Sequence, residues 1–240
     1  MIGIIGAMKE EVEILQSLMQ DIKIEDAGSF RFICGTICKK NIVLLQCGIG
    51  KVNAAVGCAL LIERYGMDFI VNTGCAGGVN PQNEVALNFG DVVLSDALVQ
   101  HDFDLSAFGR PIGQVPDLPH PFIADKKLID MAASAIDQLK KENVLPKNLS
   151  YVSGLIASGD AFMCEPLRIA NVRKIFPSVR ALEMEGAAIA QTCTLFNVPF
   201  IIIRAMSDIA GEESPLKFEE YLPIAAKNSS AIVKKMLENL

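Results

Sequence analysis

The 240-residue chain is 51% hydrophobic and carries a formal net charge of −6. That charge argues against a nucleic-acid groove or an anionic membrane surface as partner, because both require clustered positive charge, and it leaves a small neutral or cationic ligand open. The length fits one α/β domain over residues 1–240, long enough to bury roughly 70–75% of the surface exposed when unfolded.

Residues 2–5 are an apolar run ended by Gly6, the pattern of a buried strand. Val12, Leu15, Leu18 and Met19 then recur at helical spacing. Residues 31–38 and 41–47 are β-rich and separated by a short polar turn, so they read as a hairpin. From Lys51 to Tyr65 the pattern is helical, with Val52, Ala55, Val56, Ala59, Leu60 and Ile62 available for a core face. A buried strand over 68–73 leads into the glycine-rich segment GCAGG (74–78), read as a turn. Residues 91–99 are strand-like, and 100–122, with four of the eleven prolines, read as a long structured loop. A helix is expected over 125–142, a strand over 151–157, and a helix over 165–175, where Pro166 suits a first turn. An extended segment (179–183), a helix from Glu185 to Leu195, a buried strand (199–206) and a terminal helix (218–239), kinked or started near Pro223, complete the chain. Strands alternate with helices throughout. The expected fold is a three-layer α/β/α domain with a mixed, mostly parallel central sheet.

The seven cysteines, Cys34, Cys38, Cys47, Cys58, Cys75, Cys164 and Cys193, form no CxxC pair, and His101 and His120 are the only histidines. Zinc ligands need tighter spacing. GIGKVN (48–53) lacks the third glycine of a dinucleotide turn. No metal or cofactor is expected. An odd cysteine count in a chain this long favours a reducing compartment. The N-terminus lacks a signal-peptide pattern, and no run reaches the ~18 apolar residues of a spanning helix. The expected location is the cytoplasm.

Ligands of such sheets bind at the carboxyl ends of the strands. Those ends carry Met8 to Glu11, Cys75 to Gly78, Ser158 to Phe162, Glu183 to Glu185, and Ser207 with Asp208. Carboxylates dominate, and no histidine is among them. A glycine turn opening a helix often holds phosphate, but here Glu10 and Glu11 would repel an anion. Both also complement a helix dipole, and Glu11 equally suits chemistry in a cleft. Asp208, at the end of a strongly apolar strand, either caps a helix or works in the site.

Six segments now stand in register: GIIGAMKEEV (3–12), GIGKVNAA (48–55), NTGCAGG (72–78), SGDAF (158–162), EMEGAAIA (183–190) and RAMSDIA (204–210). Together they resemble the 5′-methylthioadenosine/S-adenosylhomocysteine nucleosidases of the purine nucleoside phosphorylase-like superfamily, over nearly the whole chain. The resemblance implies that Glu11 activates water and that Asp208, with a raised pKa, protonates N7 of adenine. It implies that Glu185 holds the ribose hydroxyls with Met184 against the sugar, and that Phe162 stacks on adenine while Met163 reads its edge. Arg204 and Ser207 would support the site, and Ile49 and Phe218 would wall the 5′-thio pocket. Met8, Glu183, Cys75, Ala76 and Gly77 complete the implied substrate-binding set. A partner subunit of a homodimer would close the pocket through its 100–116 loop, with Leu105, Phe108 and Pro116. The family usually has serine where this chain has Cys75, at a place thought to lie near the catalytic aspartate, so the tuning of Asp208 is in question; Cys75 otherwise serves simple packing or backbone positioning. The resemblance implies hydrolysis of methylthioadenosine and S-adenosylhomocysteine, and of 5′-deoxyadenosine. The competing expectations are an aminodeoxyfutalosine hydrolase, a purine nucleoside phosphorylase, which would need arginines for phosphate, and a non-catalytic adenine-nucleoside sensor.

Overall fold

The computed structural model describes residues 1–80, 85–210 and 214–240, with 214–216 described as backbone only. Its centre is the strand β1 (Ile2–Gly6), buried at every position. It lies parallel between β4 (Lys40–Gln46) and β5 (Phe69–Gly78). An unbroken apolar run is what a strand covered on both faces requires. β4 continues antiparallel to β3 (Phe30–Ile37), the expected hairpin, and β3 pairs antiparallel with β2 (Gln20–Ala27). No strand was expected at β2. It is a polar edge strand whose Ile22 and Ile24 stay about half exposed, so no buried face marks it in the sequence.

On the other side of β5 the sheet closes on itself. β10 (Phe200–Ile209) pairs parallel with β5 and antiparallel with β6 (Val92–Gln100). β6 pairs with β8 (Tyr151–Ser158), β8 with β9 (Val179–Glu183), and β9 returns to Gly77 and Gly78 of β5. A short strand, β7 (Phe122–Ile123), adds to β6. The segment GCAGG is thus strand rather than turn. Its glycines carry no side chain, which lets β9 and β10 approach β5 closely.

Two helix layers cover the sheet. α1 (Lys9–Leu18), α3 (Lys126–Lys141) and α6 (Ser214–Glu238) pack together, and α2 (Lys51–Tyr65) packs on α5 (Gly186–Phe196). α4 (Pro166–Ile175) joins a smaller apolar cluster through Ile169 and Val172. α6 starts at Ser214, earlier than expected, and runs through Pro223. On α2 the expected core face is corrected. Ala54, Gly57, Cys58, Leu61 and Ile62 are buried, whereas Val52 is 73% exposed and Val56 44%. The helix is apolar on nearly every side, so periodicity does not choose a face. The small residues decide it: a Cβ on Gly57 would meet Leu45 of β4 at 3.0 Å, so this stripe already lies tight against the sheet.

Among the described residues no helix is long and apolar enough to cross a membrane.

Candidate active site

A cavity of about 400 Å³ opens at the carboxyl ends of β1, β5, β9 and β10. Of the expected site residues, Met8, Glu11, Ile49, Cys75, Ala76, Gly77, Phe162, Glu183, Met184, Glu185, Ser207, Asp208 and Phe218 line it. Met163 lines a recess of about 30 Å³ that shares Phe162, Met184 and Asp208 with the main cavity. Arg204 lies buried behind the wall. Leu105, Phe108 and Pro116 do not reach the cavity within this chain; they sit on the 100–116 loop, where Phe108 is 81% exposed. Ala7, Leu182 and Glu219 also line the cavity and were not expected. The first two are sequence neighbours of expected residues at strand ends. Glu219 carries no signal beyond following Phe218.

Glu11 is the third residue of α1 and is buried. Its Oε2 accepts from the N–H of Ala7 at 2.7 Å and of Met8 at 3.0 Å. Its Oε1 accepts from the N–H of Cys75 at 3.1 Å and from the Cys75 thiol at 3.4 Å. One oxygen therefore holds the N–H groups of the two residues that lead into α1, the reach-back half of a capping box, while the other reaches across to β5. The carboxylate lies close on that strand: a Cβ on Gly74 would overlap Oε1, so a larger residue there would push the Glu11 carboxylate off its donors. Cys75 is accordingly a neighbour of Glu11. The expectation that it sits by the aspartate is corrected, because Cys75 and Gly77 face different carboxylates along β5. Burial and the adjacent Glu11 charge push the Cys75 thiol pKa well up.

Asp208 lies within β10, not at a helix cap. The pairing with β5 slips between Met206 and Asp208, leaving Ser207 as an extra residue. Successive strand residues normally face opposite sides. A bulge re-aims side chains, and here Ser207 and Asp208 both line the cavity. The Ser207 hydroxyl donates to Asp208 Oδ1 at 2.9 Å, and the bare backbone of Gly77 lies beside Oδ2.

The opposite wall is a charge cluster. Arg204 Nη2 donates to Glu183 Oε2 at 2.5 Å and to Asn72 Oδ1 at 2.6 Å, and lies 4.0 Å from Glu185 Oε2. Glu183 Oε2 also accepts the N–H groups of Glu185 and Gly186 at the start of α5, and its Oε1 accepts from the Ser158 hydroxyl. Both Glu183 oxygens are thus occupied by protein donors, so this residue builds the wall. Asn72 was missed by sequence reasoning, although an asparagine inside the apolar run FIVNT is itself a signal of a buried polar contact. Glu185 accepts at Oε1 from the Gly50 N–H at 2.8 Å. Burial first, and the Glu183 charge second, raise its pKa to about 8 against the pull of Arg204. Burial opposes the Arg204 charge, but Glu183, Glu11 and Glu185 outweigh it and raise the guanidinium pKa.

The site therefore offers four buried carboxyl groups, on Glu11, Glu183, Glu185 and Asp208, against one buried guanidinium. Such a site suits a ligand that gains positive charge or needs a proton delivered. Among the described residues no group of three or more His, Cys, Asp or Glu is arranged to hold a metal ion.

Known proteins resemble the chain over its whole length. The model of the phosphorylase superfamily matches residues 1–238. A 5′-methylthioadenosine/S-adenosylhomocysteine nucleosidase of Pseudoalteromonas translucida is 47% identical, covering 100% of this chain and 97% of the relative. The solved structure of the nucleosidase of that name from Neisseria meningitidis, in complex with methylthio-immucillin-A, superposes with a TM-score of 0.92 at 41% identity, covering 100% of this chain and 99% of that one. The corresponding enzyme from Colwellia psychrerythraea, in complex with adenine, gives a TM-score of 0.92 at 45% identity, covering 100% and 95%.

Proposed function

The chain belongs to the phosphorylase superfamily and, within it, to the 5′-methylthioadenosine/S-adenosylhomocysteine nucleosidases, and on that footing we propose that it hydrolyses the N-glycosidic bond of both nucleosides, and of 5′-deoxyadenosine, to release adenine. Residues 1–240 act as one catalytic domain. Glu11 takes a proton from the attacking water. Asp208 protonates N7 of adenine, which turns a poor leaving group into a good one. Glu185 receives the 2′- and 3′-hydroxyls of the ribose, with Met184 along the sugar. Phe162 stacks on the base beside the backbone of Met163. Ile49 and Phe218 give the thioether an apolar wall. The surrounding carboxylates favour an oxocarbenium-like sugar.

The observation that carries this reading is the position of Glu11. Its carboxylate already occupies the N–H groups of Ala7, Met8 and Cys75, where a phosphate would have to bind. Arg204 is likewise committed to Glu183 and Asn72. Both facts favour water over phosphate as the nucleophile. The exposed apolar side chains of Val52, Val56 and Phe108 support a homodimer in which the partner's 100–116 loop closes the pocket.

The test is a substrate panel of methylthioadenosine, S-adenosylhomocysteine, aminodeoxyfutalosine and inosine, each with and without phosphate. Adenine should appear from the first two with no phosphate added. A strict phosphate requirement, with ribose 1-phosphate as product, overturns the hydrolase reading. Preferred cleavage of aminodeoxyfutalosine assigns the same carboxylates to that substrate. Glu11→Gln and Asp208→Asn should each lower kcat by at least ~10²-fold.

A further inference from the structure

The N-terminus of α2 is anchored by residues with no part in the proposed chemistry. Lys51, the first residue of α2, donates its N–H to Asp160 Oδ1 at 2.8 Å. Its ammonium bonds Asp102 Oδ1 at 2.6 Å and Gln100 Oε1 at 3.0 Å. Asp102 Oδ2 in turn accepts the N–H of Asp160 at 2.9 Å. Lys51, Asp102 and Asp160 thus close a ring that joins α2 to the loops following β6 and β8. Gln100 extends it to Gln191 on α5. Burial alone would raise the Asp102 pKa, but the Lys51 and Asp160 donors outweigh it and hold it below the usual carboxylate range.

Each arm of the ring borders the site. Gly50, immediately before Lys51, donates to Glu185, and Ile49 lines the cavity. Gly50 has φ +97°, a conformation that favours glycine, and a Cβ there would lie 3.2 Å from Asp160 Oδ1. Phe162 follows Asp160 by two residues and also lines the cavity. A helix start has N–H groups without intrahelical partners. Here two of the groups at this end go to separate carboxylates, the Gly50 N–H to Glu185 inside the site and the Lys51 N–H to Asp160 at its rim.

We propose that Lys51, Asp102 and Asp160 are positioning residues, a clasp that seats the Gly48–Gly50 turn so that the Gly50 N–H stays on Glu185 and Phe162 stays at the cavity. Its kinetic consequence rests on the nucleosidase reading; its structural consequence does not. Without the clasp the turn keeps the Gly48 N–H on the Ala7 carbonyl and the Gly50 N–H on Glu185 but loses its hold on the loops after β6 and β8, so the sugar and base contacts lose their fixed geometry. Loss should therefore weaken substrate binding more than it slows the chemical step.

The test compares Asp160→Ala with Asp160→Asn, whose Oδ1 still accepts from Lys51. Hydrogen exchange across residues 48–53 should be at least ~tenfold faster in Asp160→Ala, the factor one charge-assisted hydrogen bond corresponds to, with Tm little changed. KM for methylthioadenosine should rise by about tenfold with a smaller fall in kcat. Asp160→Asn should restore both the exchange protection and KM. Unchanged protection in Asp160→Ala overturns the clasp. So does a loss of Tm, kcat and KM together that Asp160→Asn does not restore. If the wild-type protein cleaves none of the nucleosides, the nucleosidase reading fails, and the exchange experiment still decides whether the clasp exists.

Discussion

The two long walls of the cavity hold their carboxylates by different means. On the β1, α1 and β5 wall, Glu11 is held by the backbone N–H groups of Ala7, Met8 and Cys75 and by one thiol. On the β9, α5 and β10 wall, Glu183 and Glu185 depend on Arg204, the Ser158 hydroxyl and the start of α5. The first arrangement is written into the backbone and needs no opposing charge to keep its shape. The second is a charge balance in a buried place, where removing one partner strands the other. Arg204→Leu should therefore destabilise the fold by about 3–5 kcal/mol in urea denaturation, because Glu183 would keep a buried charge without its cation. Glu11→Gln, by contrast, should cost only about 1–2 kcal/mol while abolishing most activity, because the amide oxygen can keep the Ala7 and Met8 N–H groups and only the Cys75 N–H, facing the amide NH2, loses its acceptor. Equal losses in the two variants would erase the distinction between the walls.

A pH series sharpens the same comparison within the second wall. The Glu185 pKa is raised from the ordinary 4.5 to about 8 in the folded chain, mainly by burial. A raised carboxyl pKa means the native state prefers the proton. Its stabilising contribution is full below about pH 4.5 and is lost as pH climbs through 8. Glu185→Gln removes that penalty at the expense of ribose binding. The variant should match the wild type in Tm near pH 4.5 and exceed it by about 3 °C or more near pH 8.5. A gap that stays constant with pH would show that the Glu185 carboxyl group is not strained by its burial.

The sequence makes the walls legible to different degrees, for physical reasons. The apolar strands β1, β5 and β10 announce themselves, and the residues at their carboxyl ends follow from topology. Asp208 stood out because a carboxylate ending an apolar strand is costly unless used. The bulge at Ser207 that turns it inward was hidden, since register depends on the partner strand. The edge strand β2 was hidden because both its faces stay wet. The buried side of α2 was misread because small residues, not Val52 and Val56, face the sheet. The link between Glu11 and Cys75 joins residues 64 apart in the chain, and only the parallel pairing of β1 with β5 brings their segments together.

That link provides the smallest expected effect. The Cys75 side chain contributes one of four donors to Glu11, at 3.4 Å, and a thiol is a weak donor. The other three donors are backbone groups that no substitution at position 75 removes, provided the strand holds. Cys75→Ser should keep kcat within about threefold of the wild type, and Cys75→Ala should cost no more than about tenfold, the range of a single hydrogen bond of ordinary strength. A fall beyond ~10² in Cys75→Ala, on the scale of losing the base itself, would mean that the thiol rather than the backbone fixes Glu11. Chemical labelling gives an independent measure. Cys75 is buried and its thiol pKa is pushed well up, whereas Cys38 is exposed. Iodoacetamide at pH 8 should mark Cys38 in the native protein and leave Cys75 unmodified until denaturant is added. Rapid labelling of Cys75 under native conditions would show that the backbone-held wall opens to solvent, and the contrast between the walls would then be one of mobility rather than of charge.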